Sequence, residues 1–198
     1  DKIFINTTGI GEILYKGISS NNITQNDLIL VNRDIGTHGA TIFASREGMD
    51  MNSNLKSDCA SLYPQVKALI DGGVKITALR DATRGGVSAV LNEWAKQSNI
   101  CIEVDEEKIP VCDEVKGICE MLGFEATNLA NEGTFVLAID KNDASKAIEI
   151  LHTFSEASNA CIIGTVTEQY PQKVVLNSAW GTKRFLDTPT GELLPRIC

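Results

Sequence analysis

The sequence predicts an α+β fold in which helices cover one face of a mixed or antiparallel sheet. Helical segments alternate with short strands along most of the chain, and three closely spaced strand candidates follow at residues 161–166, 173–176 and 183–186. The chain has 198 residues, of which 43% are hydrophobic and 22% are charged. This composition is ordinary for a globular protein and is sufficient for one sizeable core.

The earlier strands are predicted from apolar runs between turn residues. Residues 2–6 read as a short strand that leads into the loop Thr8-Gly9-Ile10-Gly11. Residues 27–33 contain Leu-Ile-Leu-Val, a continuous apolar run that is typical of a strand buried on both faces. Further strands are predicted at residues 75–79, 101–104 and 135–139.

The helices are predicted from apolar residues that recur at helical spacing. Residues 62–71 place Leu62, Val66 and Leu69 on one side and end at Gly72-Gly73, a common helix stop. Residues 50–57 read as a loop. The other helices are predicted at residues 40–47, 87–96, 114–122 and 144–154, the last capped by Asn142 or Asp143.

Charge and hydropathy limit the classes of partner. The net charge is −8 and no run of lysines or arginines occurs, so a nucleic-acid partner is not expected. No apolar stretch approaches the roughly 20 residues that a membrane span needs. The first residues, Asp-Lys-Ile-Phe, do not resemble a signal peptide and read like the inside of a gene product, which favours a cytoplasmic fragment.

Six cysteines occur, and they form no C-x-x-C pair. With only two histidines a zinc site is poorly supported, and thiols in a chain without a signal indicate the cytosol. Cys198 differs from the others because it follows a segment with two prolines and a glycine, which predicts an extended arm. A terminal thiol on an arm is able to enter a site, whereas the plain alternative is a tail that ends in cysteine by chance.

Three glycine-containing turns carry the other candidate residues. In Asp81-Ala-Thr-Arg-Gly-Gly86, between a strand and a helix, Asp81 is a candidate Mg²⁺ ligand and Arg84 a candidate phosphate ligand. The alternative is a turn capped by Thr83 with Arg84 solvated. His38, in Gly36-Thr-His-Gly39, is either a phosphate donor or an exposed turn histidine. Glu132, in Asn131-Glu-Gly133, is either a general base or a surface glutamate.

Taken together, these segments resemble the HypE family of hydrogenase maturation factors. The match extends in order over essentially the whole chain, and its specific parts are the Asp-x-Thr-Arg-Gly-Gly turn and the Pro-Arg-Ile-Cys end. The matching segments are Lys2-Ile-Phe-Ile-Asn-Thr-Thr-Gly-Ile-Gly-Glu12, Gly36-Thr-His-Gly39, Asp81-Ala-Thr-Arg-Gly-Gly86, Asn131-Glu-Gly133 and Pro195-Arg-Ile-Cys198.

The resemblance implies the C-terminal domain of the aminoimidazole ribonucleotide synthetase-like fold. Residues 1–12 would then include the last strand of a missing N-terminal ATP-binding domain, residues 13–187 would form the C-terminal α+β domain, and residues 188–198 a flexible arm. The full-length protein would be a homodimer. The fragment alone is expected to be inactive as an ATPase.

The resemblance also implies a chemistry. The carbamoyltransferase HypF places a carboxamide on Cys198, and ATP-dependent dehydration gives a thiocyanate, the source of the cyanide ligands of the hydrogenase iron. Glu132 would be the base, and the iron-carrying factors HypC and HypD would receive the product. By the same resemblance, the ATP and phosphate ligands are Asp81, which also holds Mg²⁺, Thr83, Arg84, His38 and Asn131.

One position departs from the family pattern. HypE sequences usually carry Asp where this chain has Thr37, which weakens any metal role for that turn. Two other functions remain open: another ATP-dependent member of the superfamily, such as a selenophosphate synthetase-like enzyme or a small-molecule kinase, and a non-catalytic domain that docks partners. The terminal cysteine distinguishes the HypE function from the other ATP-dependent enzymes of the superfamily, because those enzymes do not need a terminal cysteine.

Overall fold

The computed structural model describes residues 6–13, 15–49 and 55–189. Residues 6–13 form neither helix nor strand, and the strand predicted at residues 2–6 lies almost entirely outside the described residues. The strands are β1 (Leu28–Val31), β2 (Ile76–Asp81), β3 (Cys101–Asp105), β4 (Phe135–Ile139), β5 (Cys161–Thr167), β6 (Lys173–Asn177) and β7 (Lys183–Phe185). The helices are α1 (Thr37–Arg46), α2 (Tyr63–Asp71), α3 (Gly86–Ser98), α4 (Asp113–Leu122) and α5 (Ala144–Leu151).

These strands form one sheet in the order β2-β4-β1-β5-β3-β6-β7. Neighbouring strands are antiparallel except for β3 and β6, which pair in parallel from Cys101↔Lys173 to Asp105↔Asn177. The predicted fold class, α+β with a mixed sheet, is confirmed. Within the described residues, no helix combines the length and the apolar character needed to cross a membrane.

Helices lie on both faces of the sheet, where the sequence predicted one. The internal strand β4, which lies between β2 and β1, is buried along its length, and Val136 and Ala138 contribute to the core that contains Leu91 and Trp94 of α3. Leu137 contributes to a second core, formed with the apolar sides of α2 and α5. The physical reason is that a strand with a continuous apolar run exposes hydrophobic surface on both faces until each is covered.

Helices α1 and α4 pack against each other in a third, smaller core. Its members are Ala40, Ala44, Val115, Ile118, Cys119 and Leu129. The rings of Phe43 and Phe124 meet edge to face beside it, 5.2 Å between centroids. This packing fixes the start of α1 beside the segment that precedes β4, where two of the candidate turns lie.

Several predicted boundaries differ from the structure. Helix α1 begins at Thr37 rather than at residue 40, because Gly36 adopts φ +81° and turns the chain directly into the helix. Helix α5 ends at Leu151, and a 3-10 turn, Ser155–Ala157, follows. Neither residue predicted to cap α5 does so through its side chain; Asp140 instead accepts a hydrogen bond from the backbone N–H of Asn142, in the 3-10 turn that precedes α5.

Candidate functional site

Three chain segments meet at one edge of the sheet. Strand β1 ends there at Val31 and β2 ends at Asp81, while the antiparallel strand β4 begins at Phe135 between them. The segments that follow β1 and β2 and the segment that precedes β4 are therefore neighbours. These segments contain the Gly36, Asp81 and Asn131 turns, which the sequence separates by tens of residues.

Asn131 joins the three segments. Its side chain accepts a hydrogen bond from the backbone N–H of Gly36 at 2.7 Å and donates to the carbonyl oxygen atoms of Ala82 at 2.9 Å and Leu129 at 3.0 Å. The residue is 0% exposed. Both ends of the amide are thus used within the protein, so Asn131 positions the segments and offers no group to solvent.

A buried carboxylate that the sequence did not single out holds the next part of the turn. Asp58, 2% exposed, accepts hydrogen bonds from the backbone N–H groups of Glu132 and Gly133, each at 3.0 Å, and from the hydroxyl of Thr134 at 2.9 Å. A Cβ atom on Gly133 would lie 1.8 Å from the carbonyl oxygen of Asp58, so only glycine fits there. The carboxylate supplies the hydrogen-bond acceptors that the backbone N–H groups of a turn otherwise lack.

Asn32, the first residue after β1, fixes the turn from the other side. Its amide oxygen accepts from the N–H of Phe135 at 2.9 Å, and its amide nitrogen donates to the side chain of Gln65 at 2.9 Å and to the carbonyl of Gly133 at 3.3 Å. Asn32 and Gln65 are both buried. Together, the hydrogen bonds of Asp58 and Asn32 restrict the backbone of the 131–134 turn. Glu132 lies on this restricted backbone and is half-buried.

His38 lies in the first turn of α1 and is 7% exposed, so the interpretation as an exposed turn histidine is wrong. Its Nδ1 atom lies 2.9 Å from the hydroxyl of Ser57, which also accepts a hydrogen bond from the N–H of Cys59. These contacts hold the chain on both sides of Asp58. His38 therefore supports the segment that carries the buried carboxylate.

The Asp81–Gly86 turn is built differently. Asp81, the last residue of β2, and Arg84 are both exposed, and Thr83 is half-buried. Helix α3 begins after Gly85, at φ +72°, without a side-chain cap, so the interpretation of a turn capped by Thr83 is wrong; the Thr83 carbonyl accepts from the N–H of Gly86 instead. The charged side chains are left at the surface.

The two glycines of this turn are required by close packing. Gly86 has φ +60°, and a Cβ atom there would lie 2.5 Å from the carbonyl oxygens of Thr127 and Leu129. A Cβ atom on Gly85 would lie 2.8 Å from that of Ala89. The turn thus brings an uncapped start of a 13-residue helix to the sheet edge. Such a helix start favours an anionic group, and the exposed Arg84 suits a phosphate.

The root of the C-terminal arm lies along α3. Asn92 donates to the carbonyl of Leu186 and Ser88 donates to that of Asp187, both at 2.9 Å. Further along, the ring of Pro189 lies beside Gly85. Residues 186–189 therefore run toward the start of α3 and the turn that precedes it. Cys198, the predicted reactive thiol, lies outside the described residues.

Three of the described cysteines, Cys112, Cys119 and Cys161, are poor nucleophiles because burial raises the pKa of their thiols. Burial, with the negative charge of Asp34, raises the pKa of the Cys161 thiol to about 11. Burial also raises the pKa of Cys112 and of Cys119. Among the described residues, no three histidine, cysteine or acidic side chains are grouped so as to hold a metal ion.

The fold and the sequence define the class of protein. The chain belongs to the family described as AIR synthase related protein, C-terminal domain, whose model matches residues 24–177.

Within that class, the chain is similar to the HypE proteins. It is 45% identical over 202 residues to the carbamoyl dehydratase HypE of Escherichia coli strain K12, covering 100% of this chain and 58% of that protein. It is 35% identical over 199 residues to the carbamoyl dehydratase HypE of Rhodobacter capsulatus, again covering 100% of this chain and 58% of that protein. The chain thus spans less than two thirds of the length of these relatives.

Solved structures show the same similarity. A crystal structure of the hydrogenase maturation protein HypE in complex with ATP superposes with a TM-score of 0.90 and 34% identity, over 95% of this chain and 58% of that one. A crystal structure of a HypE–HypF complex gives a TM-score of 0.84 and 38% identity, over 89% of this chain and 58% of that one.

Proposed function

We propose that the chain is the C-terminal part of a protein that dehydrates a carboxamide carried on its own Cys198 thiol, in the maturation of [NiFe]-hydrogenase. The observation that carries the proposal is the convergence of three features at one sheet edge. These are the fixed turn that presents Glu132, the helix start behind Arg84, and the arm root at Pro189. Similarity to carbamoyl dehydratases supports it.

The Asp81–Gly86 turn is proposed to meet the phosphates of ATP. The packed glycines bring backbone close to the sheet edge, and the exposed Arg84 and half-buried Thr83 offer donors. Asp81 has the exposed carboxylate that Mg²⁺ prefers, although a complete site would need further oxygen ligands. The ATP complex of a similar HypE supports nucleotide binding.

Two residues first expected to bind phosphate are proposed to act indirectly. Asn131 uses its whole side-chain amide to join the Gly36, Ala82 and Leu129 backbones. His38 holds Ser57 beside Asp58. Their role is to keep the two turns at a constant separation, which a reaction between groups on both turns requires.

Glu132 is proposed to be the base. A carboxamide becomes a thiocyanate when its oxygen leaves and its two N–H protons are removed, and ATP supplies the phosphoryl group that turns the oxygen into a leaving group. Glu132 would accept a proton from the nitrogen. The buried carboxylate of Asp58 fixes the backbone on which Glu132 is carried, so the base is positioned before the substrate arrives.

The remaining parts of the proposal concern the complete protein. HypF is proposed to load Cys198, which the HypE–HypF complex of a similar protein supports. HypC and HypD would receive the cyanide, the full-length protein would be a homodimer, and the site of action would be the cytoplasm. Residues 1–198 alone are expected to lack ATP turnover, because most of the nucleotide site would be contributed by preceding residues.

The test is made in the full-length protein with HypF, its substrates and ATP. Intact-mass spectrometry should show one carbamoyl adduct before ATP is added, located on Cys198, and no adduct in Cys198→Ala. The Glu132→Gln variant should accept the carbamoyl group and fail to lose water. An adduct on Cys59 or Cys112 instead of Cys198 would overturn the assignment of the carrier thiol.

A further inference from the structure

A concave site lies near the candidate site, at the carboxyl ends of the parallel strands β3 and β6. We call it the β3–β6 cavity. It has a volume of about 280 Å³, enough for one or two aliphatic side chains. Its lining residues are Glu106, Ile109, Val111, Phe124, Glu125, Ala126, Thr127, Leu176 and Arg184.

The lining combines an apolar floor with a polar edge. Four of the lining side chains are large and apolar. At the edge, Glu125 pairs with Arg184 at 2.9 Å, and Glu106 adds a second carboxylate, so the edge carries a net negative charge. Thr127 is 7% exposed, and its hydroxyl is buried without a hydrogen-bond partner among the described residues. A buried hydroxyl of this kind indicates a missing partner.

A short series of contacts links the cavity lining to the root of the arm. Thr127, which lines it, also packs its carbonyl oxygen against Gly86, while the preceding Gly85 lies beside Pro189. Pro189, the last described residue of the arm, is therefore separated from the cavity lining by Gly85 and Gly86. Seven further residues lead from Pro189 to Arg196, a reach of roughly 23 Å in extended form.

The sequence of the arm matches the lining. After Glu192 it reads Leu193-Leu-Pro-Arg-Ile197, which supplies adjacent apolar side chains, a proline that favours extended backbone, and one arginine. Leucine side chains suit the apolar floor, and the guanidinium of Arg196 suits an edge that carries the carboxylates of Glu106 and Glu125. A backbone N–H or carbonyl group of a bound segment would supply the partner that the Thr127 hydroxyl lacks.

We propose that the β3–β6 cavity binds residues 193–196 of the arm of the same chain and so holds Cys198 beside the site when no group is being dehydrated. The docking rests on the cavity and the arm alone, whereas its purpose rests on the proposed function. Binding within one chain is favoured because the anchored root keeps the arm at a high effective concentration.

The experiment is amide hydrogen exchange on the full-length protein without ATP or HypF. Removal of residues 190–198 should accelerate exchange in peptides covering residues 106–127 by about fivefold, the change expected when a marginally bound segment is released. Leu194→Asp should have the same effect. Thr190→Asp, which adds the same charge to the arm before the docking residues, should leave exchange unchanged.

A charge exchange tests the polar edge. Arg196→Glu should accelerate exchange in the same peptides, and Arg196→Glu combined with Glu106→Arg should restore the slower rate. Identical exchange with and without the arm would overturn the proposal. Protection that is lost on dilution would also overturn it, since the arm would then come from a second copy.

Cys198→Ala separates this inference from the proposed function. The variant removes the carrier thiol and should abolish the carbamoyl adduct, yet it should leave the protection of residues 106–127 intact. Wild-type protein that HypF does not carbamoylate at Cys198 but that retains arm-dependent protection would refute the chemistry and preserve the docking. The reverse result would refute the docking alone.

Discussion

The two turns that meet at the sheet edge are held by opposite means. The 131–134 turn is fixed by buried polar side chains, with Asp58 and Asn32 supplying most of its hydrogen bonds. The Asp81–Gly86 turn is fixed by backbone packing at two glycines, and its charged side chains remain exposed.

The difference separates positioning from binding. A buried carboxylate with three donors stabilises one backbone geometry, because any departure leaves polar groups without partners in a low-dielectric interior. The exposed charged side chains beside the glycine turn are not part of a buried hydrogen-bond network of this kind, so a ligand can reach them. Under the proposed function, the first turn would hold the base and the second would recognise phosphate.

The largest expected effect comes from removing the buried carboxylate. Asp58→Ala leaves the two buried N–H groups without an acceptor and leaves the Thr134 hydroxyl only its longer contact, 3.4 Å, to the carbonyl oxygen of Asp34, so it should lower the free energy of unfolding by about 3–5 kcal/mol. Urea denaturation measures the change. Asp71→Ala, which removes only an exposed carboxylate paired with Lys67, is the control and should have no comparable effect.

The second effect tests the glycine turn. Gly86→Ala introduces a Cβ atom 2.5 Å from two carbonyl oxygens at a positive φ, and we expect a loss of about 2–3 kcal/mol. Gly117→Ala, in the open middle of α4 with no atom near the added carbon, should instead stabilise by up to about 1 kcal/mol. Equal effects at both positions would contradict the close packing of the turn.

A smaller effect on stability is expected from the exposed side chains. Arg84→Ala should change the free energy of unfolding by no more than about 0.5 kcal/mol, because Arg84 is at the surface. The same variant in the full-length protein should weaken ATP binding, measured by titration calorimetry. A destabilisation as large as that of Asp58→Ala would show that the two turns do not differ in the way described.

The smallest effect concerns the reactivity of the Cys161 thiol. With a pKa of about 11, Cys161 is a thiolate in only about one molecule in a thousand at pH 8, so its alkylation should be slow and should rise roughly tenfold per pH unit. Mass spectrometry after iodoacetamide treatment measures this against the exposed Cys59. A Cys161 rate that does not change from pH 7 to pH 9 would indicate that the thiol is not held in its raised-pKa environment.

Much of the fold followed from local patterns. The apolar run Leu28–Val31 and the helical spacing of residues 62–71 are properties of neighbouring residues, so their elements were predicted within a few positions. Boundaries differed where a single backbone conformation decided them, as at Gly36. The segments that carry the candidate site were found because glycine turns and a resemblance mark them.

The sequence by itself determined the elements, the glycine turns, the terminal thiol and the family resemblance, because each depends on residues that are near in the chain. Only the tertiary structure decided that Asp58, in an irregular segment 74 positions before Glu132, holds the turn, and that His38 is buried. It also decided that helices cover both faces of the sheet. The physical reason is that buried polar groups and apolar faces find their partners across space, where periodicity and spacing carry no signal.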